Sequence, residues 1–548
     1  MEIMLDADRM VVGDEGVKNF VWPLARHELL AMRDTLLASL VPIARWKSDG
    51  SSEDAELLSI VFHQFVVEVM GLYQAHAVYR RFEKLGHQPV TLVPGRFFSS
   101  MARGMKPSES PIFEYLAVPP LVGRQGRFAG TRQQIKKRLK SIRWNGLSFR
   151  ALLPLDPKDE IAVTQITQLT DYHARAVPDV VKYALFRDWI TPLNHPLQDP
   201  NQYAVSISTI EAAIESVKIG FAVGNEELPT YLADYLKNWL IKTTGITRYY
   251  LHALCKQPGK VPHRLWVGSG GSHWVRLVGH ATRRVGGSVT AHDHGYLVGQ
   301  IFSVSKMLVD LEVCNAFVTE SEGQAESLRK SIDLNLCLQS TTPEIIIVPK
   351  SSALGALTKR SNSKKTTIFQ NQRPKIKTVM YPSSSYVGDR MWLIPTNHDI
   401  VKVDWEARLF SKLKKWGLKV INKPHPASMM PSPEAYSKLF DVTTLLEPFE
   451  RVMHLADVFI YSHSMSTTFG IVLASDKPVV FIDFGYTEWL PEARSMLKKR
   501  CGVVKGWFDE ANRAQVNWDE LHKAIKDSRY LMDMSFVQTY LNHDIMDN

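Results

Sequence analysis

Two stretches of the chain alternate short apolar runs with amphipathic segments. The runs of the first stretch are HRLWVGSGGS (263–272), SVTAHDHGYLVG (288–299) and NAFVTES (315–321). The runs of the second stretch are KTVMYPSSS (377–385), LKVIN (418–422), DVFIY (457–461) and PVVFID (478–483). Short β-branched or aromatic runs that end at polar or proline residues are typical of buried parallel strands. Because helical patterns separate them, both stretches predict a doubly wound α/β sheet.

This alternation of apolar runs and amphipathic segments divides the chain into four parts. Residues 1–345 hold helical segments and the first α/β series, and residues 377–520 hold the second series. Residues 346–376 are polar and basic with little periodicity, which predicts a linker or mobile loop. The last part, 521–548, begins within an amphipathic segment and predicts a helix that can cross back over the first part.

The N-terminal elaboration is predicted to be helical. Residues 20–86 and 159–256 repeat apolar side chains at three- and four-residue spacing. His63 and Glu68 are interpreted as the solvated face of the second helix in the first segment, with a cleft-lining role as the alternative. The segment 159–256 either shapes an acceptor pocket or only flanks the sheet, and the sequence leaves both open.

Composition places the chain among ordinary globular proteins of more than one domain. It has 548 residues, of which 45% are hydrophobic and 22% charged. No uninterrupted apolar run approaches the roughly 20 residues of a bilayer span, and the N-terminus lacks the layout of a signal peptide. The four cysteines are far apart and form no CxxC pair, which argues against structural disulfides and a cysteine zinc site. We therefore expect the reducing cytoplasm.

The net charge of +10 admits a nucleic acid, an anionic membrane surface or an anionic substrate as partner. No recognisable nucleic-acid-binding module accompanies the basic clusters, so we expect no nucleic-acid partner. Docking at the inner face of an anionic membrane is favoured over nucleic acid. A merely solvated basic surface explains each cluster equally well.

The second α/β stretch carries two polar turns at predicted strand ends. The first, KPHP (423–426), contains Lys423, His425 and Pro426, and the second, SHSMSTT (462–468), opens a short predicted helix. Helix N-termini and hydroxyl groups bind anions, so this pair of turns predicts a phosphate site. The predicted donor-binding residues are Lys423, His425, Pro426, Ser464, Ser466, Thr467 and Glu447. Glu447 is assigned to a ribose, with a first-turn helix carboxylate as the alternative.

The first stretch has its own polar turn in AHDHG (291–295). His292 and His294, two residues apart, would share one face of a strand, so a metal site is possible but lacks a convincing third ligand. We expect no metal. The alternative is catalysis by Asp293 or one of the histidines, and histidines satisfied by backbone groups are the structural alternative. The cleft is assigned Ser269, Gly270, Gly271, Ser272 and Gly295, although GSGGS lacks the spacing of known phosphate loops.

These motifs, within residues 261–485, resemble those of GT-B glycosyltransferases. KPHP and SHSMSTT resemble the His-Pro and Ser/Thr motifs of bacterial CMP-sugar transferases that transfer Kdo or sialic acid. AHDHG followed by NAFVTESEG resembles the His-Gly turn and following strand of surface-carbohydrate transferases and CDP-glycerol transferases. The resemblance implies two Rossmann-like domains facing a cleft, with the donor nucleotide on the C-terminal domain. It also implies a metal-independent reaction with no cofactor beyond the nucleotide-sugar donor.

The sequence therefore predicts a glycosyltransferase of bacterial surface polysaccharide or glycoconjugate synthesis. Its expected partners are a CMP-sugar donor and a glycan or lipid-linked glycan acceptor. The alternatives are a CDP-glycerol-type polyol-phosphate transferase, a sugar-nucleotide epimerase of the same architecture, and a non-catalytic polysaccharide-binding protein.

For the chemistry, Asp293 is the first candidate for base or nucleophile. The competing assignment gives that role to His292 or His294 and leaves Asp293 to orient the ring. Either assignment requires AHDHG and KPHP to open onto one cleft.

Overall fold

The computed structural model describes residues 1–46, 52–91, 138–146, 153–190, 202, 204–295, 300–302, 306–348, 375–388, 391, 393, 397–426, 428 and 433–541. Most of the predicted linker, 346–376, lies outside these residues, as does the end of the chain from 542. What is described is a mixed α/β protein with two large parallel sheets and many helices.

The strands, in chain order, are β1 (Glu2–Met4), β2 (Val12–Gly13), β3 (Gly16–Val17), β4 (Gln88–Val90), β5 (Ile161–Thr164), β6 (Val181–Tyr183), β7 (Arg264–Val267), β8 (Ser288–His292), β9 (Ile301–Phe302), β10 (Ala316–Thr319), β11 (Glu344–Ile347), β12 (Thr378–Pro382), β13 (Lys419–Lys423), β14 (Thr443–Thr444), β15 (Val458–Tyr461), β16 (Val479–Asp483), β17 (Glu488–Trp489), β18 (Gly502–Phe508) and β19 (Ala514–Val516). The helices are α1 (Arg26–Ala44), α2 (Glu53–Lys84), α3 (Gln168–Ala176), α4 (Phe186–Ile190), α5 (Ile207–Val223), α6 (Thr230–Cys255), α7 (His273–Arg284), α8 (Glu322–Ser331), α9 (Asp399–Lys415), α10 (Pro433–Phe440), α11 (Phe449–Val452), α12 (Thr467–Leu473), α13 (Pro491–Arg500), α14 (Trp518–Asp527) and α15 (Ser535–Tyr540).

The first sheet has six parallel strands in the order β11-β10-β8-β7-β5-β6. Its apolar runs at β7, β8 and β10 were predicted, but β5 and β6 lie in a segment that the periodicity assigned to helices. Both strands are only three or four residues long and are surrounded by helices, so their short apolar runs are hidden in the helical pattern. The order of the sheet reverses between β5 and β7.

The second sheet has the order β14-β13-β12-β15-β16-β18-β19, and only β19 is antiparallel to its neighbour. Counted along the chain, its first six strands follow the order 3-2-1-4-5-6 of nucleotide-binding doubly wound sheets. The order reverses between β12 and β15, which pair through Val379 with Val458 and Met380 with Phe459. In this topology ligands bind at the carboxyl ends of the strands beside that reversal.

The helix α2 forms the centre of the N-terminal elaboration. By length and composition it could cross a bilayer, but 83% of its most apolar window is buried inside the fold. The predicted solvated face is wrong for Glu68, which is buried and accepts a hydrogen bond from the Tyr235 hydroxyl at 2.7 Å. It is also wrong for His63, whose half-buried ring lies against the Gly271 carbonyl oxygen at 3.2 Å.

The C-terminal helices contact elements in or beside both sheets. The predicted C-terminal helix, α14, packs on β18 and β16 of the second sheet rather than crossing back. The crossing is made by α15, which contacts α8 behind the first sheet, where the Ser321 hydroxyl donates to the Thr539 carbonyl oxygen at 2.8 Å. A two-stranded antiparallel ribbon, β9 with β17, is a second link between the sheets.

The N-terminal hairpin of β2 and β3 packs against α9 through Asp404. This fully buried carboxylate accepts the Val17 backbone N–H at 3.0 Å and forms ion pairs with Arg408 and Arg513. Gly16 has a φ of +95°, and a Cβ built on it would lie 2.1 Å from Asp404 Oδ1. Asp404 is held by its partners, so it cannot move away from an added methyl group.

We therefore expect Gly16→Ala to destabilise the protein by about 1–3 kcal/mol, through backbone strain and displacement of Asp404. The measurement is the thermal midpoint. The matched control is Gly13→Ala in the same hairpin, where no atom lies within 4 Å of the added Cβ. Equal midpoints for the two variants would contradict the constraint at Gly16.

Candidate functional site

A cavity of about 500 Å³ lies at the carboxyl edge of the second sheet and is also lined by residues from the first sheet's side. Its polar lining residues are His63, His294, Asp310, Ser384, Ser385, Asn397, Lys402, Glu406, His425, Ser462, His463, Ser464, Ser466 and Thr467, and its aromatic ones are Tyr381, Trp405 and Tyr486. His294 and His425, about 130 residues apart in sequence, thus open onto one space. Volumes of this size are usual for small-molecule sites.

The second sheet contributes the loops that follow four neighbouring strands. Ser384 and Ser385 follow β12, His425 follows β13, Ser462 to Thr467 follow β15, and Tyr486 follows β16. Because β12 and β15 flank the reversal of strand order, the cavity occupies the switch point of the sheet.

The Ser/Thr turn (462–468) between β15 and α12 is rich in hydroxyl groups. Ser464 is buried with its hydroxyl 2.9 Å from that of Thr487, and the Ser466 hydroxyl lies 2.8 Å from that of Thr468. Helix α12 begins at Thr467, and the first N–H groups of a helix have no partner inside the helix. Hydroxyl and N–H donors therefore converge on this side of the cavity.

His425 and His463 face the cavity close to the same turn. Burial, with the charge of Lys423, lowers the pKa of His425, and burial, with the charges of His425 and Lys402, lowers the pKa of His463 to about 3. Both imidazoles are therefore neutral at neutral pH and can each donate one N–H. His463 was quoted within its motif but not assigned a role, because a histidine between two serines has no distinctive spacing.

Three predicted donor residues are absent from the cavity wall. Lys423 is buried, with its ammonium group 3.3 Å from the Pro424 carbonyl oxygen, and interacts electrostatically with Glu447 and Glu450. Pro426 and Glu447 are exposed outside the lining. The KPHP turn thus presents His425 to the cavity, while Lys423 lies behind the wall and its charge lowers the pKa of His425.

On the other side of the cavity, His294 is paired with Asp310. The His294 Nδ1 atom lies 3.6 Å from Asp310 Oδ2, and the Gly270 backbone N–H donates to Asp310 Oδ1 at 3.2 Å. Asp310 is buried at the end of a π-helical turn, Lys306–Asp310, in a segment predicted to be an ordinary helix. An imidazole beside a carboxylate at a cavity wall is an arrangement suited to general acid–base catalysis.

The other two members of the predicted catalytic cluster point elsewhere. His292 is fully buried, its Nε2 lies 2.9 Å from His173 Nδ1, and burial lowers its pKa to about 3. Asp293 is also buried, and beside it burial raises the pKa of Glu320 well above the usual range. Neither lines the cavity, because β8 ends at His292 and the following turn directs His294 alone to the wall. Asp293, predicted as base or nucleophile with ring orientation as the alternative, is thus absent from the cavity wall, and the carboxylate beside His294 is that of Asp310.

The glycine turn after β7 supports the cavity from behind. Ser269, Gly270, Gly271 and Ser272 are not lining residues. Gly270 packs so closely that an added Cβ would lie 2.0 Å from the Val309 carbonyl oxygen. Since Gly270 fixes Asp310 and Gly271 fixes His63, the turn positions two lining side chains. Gly295 lines the cavity as predicted.

A buried charge network lies directly beneath His63 and Asp310. His280 bridges Glu56 at 3.0 Å and Glu312 at 2.9 Å, and Glu312 pairs with Arg276 at 3.1 Å. Burial opposes charge on all of them. For three of them the pairing prevails: the pKa of His280 is raised, that of Glu312 is lowered, and that of Glu56 is lowered to about 2. For Arg276 burial prevails and lowers the pKa. The network joins α2 and α7 to the segment that carries Asp310. Among the described residues, no group of three or more His, Cys, Asp or Glu side chains is arranged to hold a metal ion.

No protein-family model and no curated protein matches the chain. Among solved structures, UDP-GlcNAc 2-epimerase from Methanocaldococcus jannaschii, in complex with UDP-GlcNAc and UDP, aligns with 68% of this chain and 92% of its own. The aligned residues are 11% identical and the TM-score is 0.34. A similarity at this level assigns no function.

Proposed function

We propose that the chain is an enzyme that binds a nucleotide-activated sugar in the central cavity. The observation that carries the proposal is the position of this cavity at the switch point of a 3-2-1-4-5-6 sheet, with the Ser/Thr turn on one side and the His294–Asp310 pair on the other. The phosphate would accept hydrogen bonds from Ser466, Thr467 and His425. The sugar would extend toward His294.

For the reaction, we infer glycosyl transfer from a cytidine nucleotide. His294, oriented by Asp310, takes the proton of the acceptor hydroxyl as that oxygen bonds to the anomeric carbon. The bond from this carbon to the phosphate oxygen breaks, and CMP leaves with the electron pair. Donors of the Ser/Thr turn and His425 stabilise the charge that develops on the leaving phosphate. The proton on His294 then passes to solvent.

This proposal implies a division of labour within the chain. Residues 377–520 would hold the donor nucleotide, and residues 1–345 would hold the glycan or lipid-linked acceptor. The two large sheets would then be the two Rossmann-like domains of a GT-B enzyme. A surface-polysaccharide pathway and a membrane-bound acceptor remain part of the proposal through the motif resemblance alone.

A second candidate reaction is epimerisation of the sugar while it stays on the nucleotide. One observation favours it: the cavity carries two acid–base side chains from opposite sides, His294 and Glu406. Removing a proton from one face of a sugar carbon and returning it to the other face requires two such groups. An epimerase would use no acceptor and would incorporate solvent deuterium into the sugar.

The test is a nucleotide panel by thermal shift, followed by product analysis. Ligand stabilisation grows with concentration relative to the dissociation constant. We expect CMP and CDP to raise the midpoint more than UDP or GDP. We expect His425→Ala to weaken cytidine binding by roughly 1.5–3 kcal/mol, because the neutral imidazole would lose a hydrogen bond to the charged phosphate. The control is His454→Ala, since His454 is exposed and outside the cavity wall.

Two results would redirect the assignment. Binding of UDP without CMP would change the donor class, and deuterium incorporation without acceptor would favour epimerisation. If no nucleotide shifts the midpoint, the sugar-nucleotide proposal is wrong. Equal CMP affinity in wild type and His425→Ala would remove His425 from the phosphate contact.

A further inference from the structure

Glu406 is a carboxyl group of the cavity wall that the proposed transfer step does not use. It lies on α9, is only 1% exposed, and lines the cavity together with Lys402 from the preceding turn of the helix. Its Oε2 atom accepts a hydrogen bond from the Tyr386 hydroxyl at 2.7 Å, and Tyr386 is fully buried. The carboxyl group therefore lies between the cavity and the buried interior of the protein.

The charge of Lys402 is already compensated without Glu406. The Lys402 ammonium donates to the Ser385 carbonyl oxygen at 2.8 Å and lies 3.6 Å from Asp399 Oδ1. Asp399 in turn accepts the backbone N–H groups of Val387 and Gly388 at 3.1 and 2.7 Å. An ionised Glu406 would be a second buried anion beside a single buried cation. An uncompensated buried charge is costly, so the neutral carboxylic acid is the favoured form.

Among the described titratable groups around Glu406, Lys402 carries the positive charge and the others add none. These groups are Asp399 and Lys402 on its own helix, Tyr381 on β12, Tyr386 after β12, Tyr436 on α10 and, next to Lys402, His463. Burial raises the pKa of the three tyrosines and keeps His463 neutral. In agreement with the geometry, burial raises the pKa of Glu406 to about 8, against the opposing effect of its hydroxyl donors and Lys402.

We propose that Glu406 serves this site as a neutral carboxylic acid that donates a hydrogen bond to the ligand, and that the cavity binds its anionic, phosphate-bearing ligand only while Glu406 is protonated. This deepens the proposed function and rests on it for the anionic character of the ligand. Ionised Glu406, itself buried, would share this cavity with the phosphate, and like charges repel more strongly away from bulk water. Affinity is therefore linked to one proton.

The expected pH dependence follows from this linkage. Below the pKa of Glu406 the affinity does not depend on this group. Above the pKa, the fraction of protein in which Glu406 is protonated falls about tenfold per pH unit, and the affinity falls with it. A glutamine at the same position stays neutral at every pH and keeps a hydrogen-bond donor, so Glu406→Gln removes the decline.

The first measurement uses no ligand. Infrared difference spectra between wild type and Glu406→Gln, recorded about two pH units below and above the pKa, report the carbonyl band of a protonated carboxyl group. We expect the band of Glu406 in wild type at the lower pH and its loss at the higher pH. A carboxylate band at both pH values overturns the proposal.

The second measurement is calorimetric titration of CMP over the same pH range with three proteins. Wild type should lose affinity above about pH 8, and Glu406→Gln should not, so the difference between the two removes the ionisation of CMP itself. The matched control is Glu68→Gln, another buried glutamate that accepts from a tyrosine, Tyr235, at 2.7 Å but lies outside the cavity wall. It should follow wild type. Parallel declines in wild type and Glu406→Gln overturn the proposal.

Inorganic pyrophosphate is the second probe and separates this proposal from the proposed function. One outcome is that CMP fails to bind, while pyrophosphate binds and loses affinity at high pH only in the proteins that keep Glu406. The nucleotide assignment is then wrong, and the role of Glu406 stands. If neither probe binds wild type at any pH, the proposal for Glu406 is overturned as well.

Discussion

Replacing His294 with alanine is expected to reduce turnover by about 10²- to 10⁴-fold, the usual contribution of a positioned acid–base group. His294 is the histidine of AHDHG that reaches the cavity, and its ring lies 3.6 Å from the buried Asp310 carboxylate. The measurement is steady-state turnover with a donor that the nucleotide panel has identified. CMP affinity should survive, because the proposed nucleotide site is on the opposite wall.

Two further variants make this prediction specific. Asp310→Asn should cost part of the rate and change the pH profile, since the ring loses its orienting charge while the amide keeps the shape. The control His454→Ala should be as active as wild type, because His454 lies outside the cavity wall. Wild-type turnover in His294→Ala would exclude His294 as the base.

Replacing Glu312 with glutamine is expected to destabilise the protein by about 3–5 kcal/mol, the cost of removing one partner from a buried ion pair. Glu312 is fully buried between Arg276 and His280, at 3.1 and 2.9 Å. Its loss leaves the Arg276 guanidinium with the hydrogen bonds to the Leu308 and Ser59 carbonyl oxygens and the more distant charge of Asp310. The measurement is the thermal midpoint, and the control is Glu326→Gln, which removes an exposed pair with Lys330 and should leave the midpoint unchanged.

The effect should also depend on pH in a defined window. The folded-state pKa of His280 is raised above 6.5, so its contribution is complete below that value and is lost as pH rises through the raised pKa. The pKa of Glu56 is lowered from 4.5 to about 2, so its contribution is complete above 4.5 and is lost as pH falls toward 2. The destabilisation by Glu312→Gln should therefore be largest between about pH 4.5 and 6.5. A midpoint equal to that of wild type in this window would show that the network contributes nothing.

The sequence was sufficient for the central strands of both sheets, and the Ser/Thr turn and His425 lie at the same edge of the second sheet. Apolar strand runs and polar strand ends are local signals, so a pattern reveals them. Residues of the cavity that come from helices were missed. Lys402 and Glu406 occupy ordinary polar positions of an amphipathic helix, and only packing shows that they are buried.

The choice among neighbouring residues was also beyond the sequence. His292, Asp293 and His294 are consecutive, and the direction of each side chain depends on where β8 ends. Asp310 lies in a run that reads as an ordinary helix, and only the π-helical turn and the Gly270 contact place it beside His294. His63 was assigned to a solvated face because periodicity cannot show that the Gly271 turn covers it.

The packing of the N-terminal hairpin on α9 has a consequence for synthesis on the ribosome. The Val17 backbone N–H donates a hydrogen bond to Asp404, which is synthesised 387 residues later. The Trp22 carbonyl oxygen accepts one from Asn512, which is synthesised 490 residues later. At about 5–20 residues per second, this second partner emerges roughly 25–100 s later. During that time the apolar side chains of the β2–β3 hairpin cannot pack against α9. We therefore expect chaperones to bind the nascent chain early and to leave only after α9 and β19 have been synthesised.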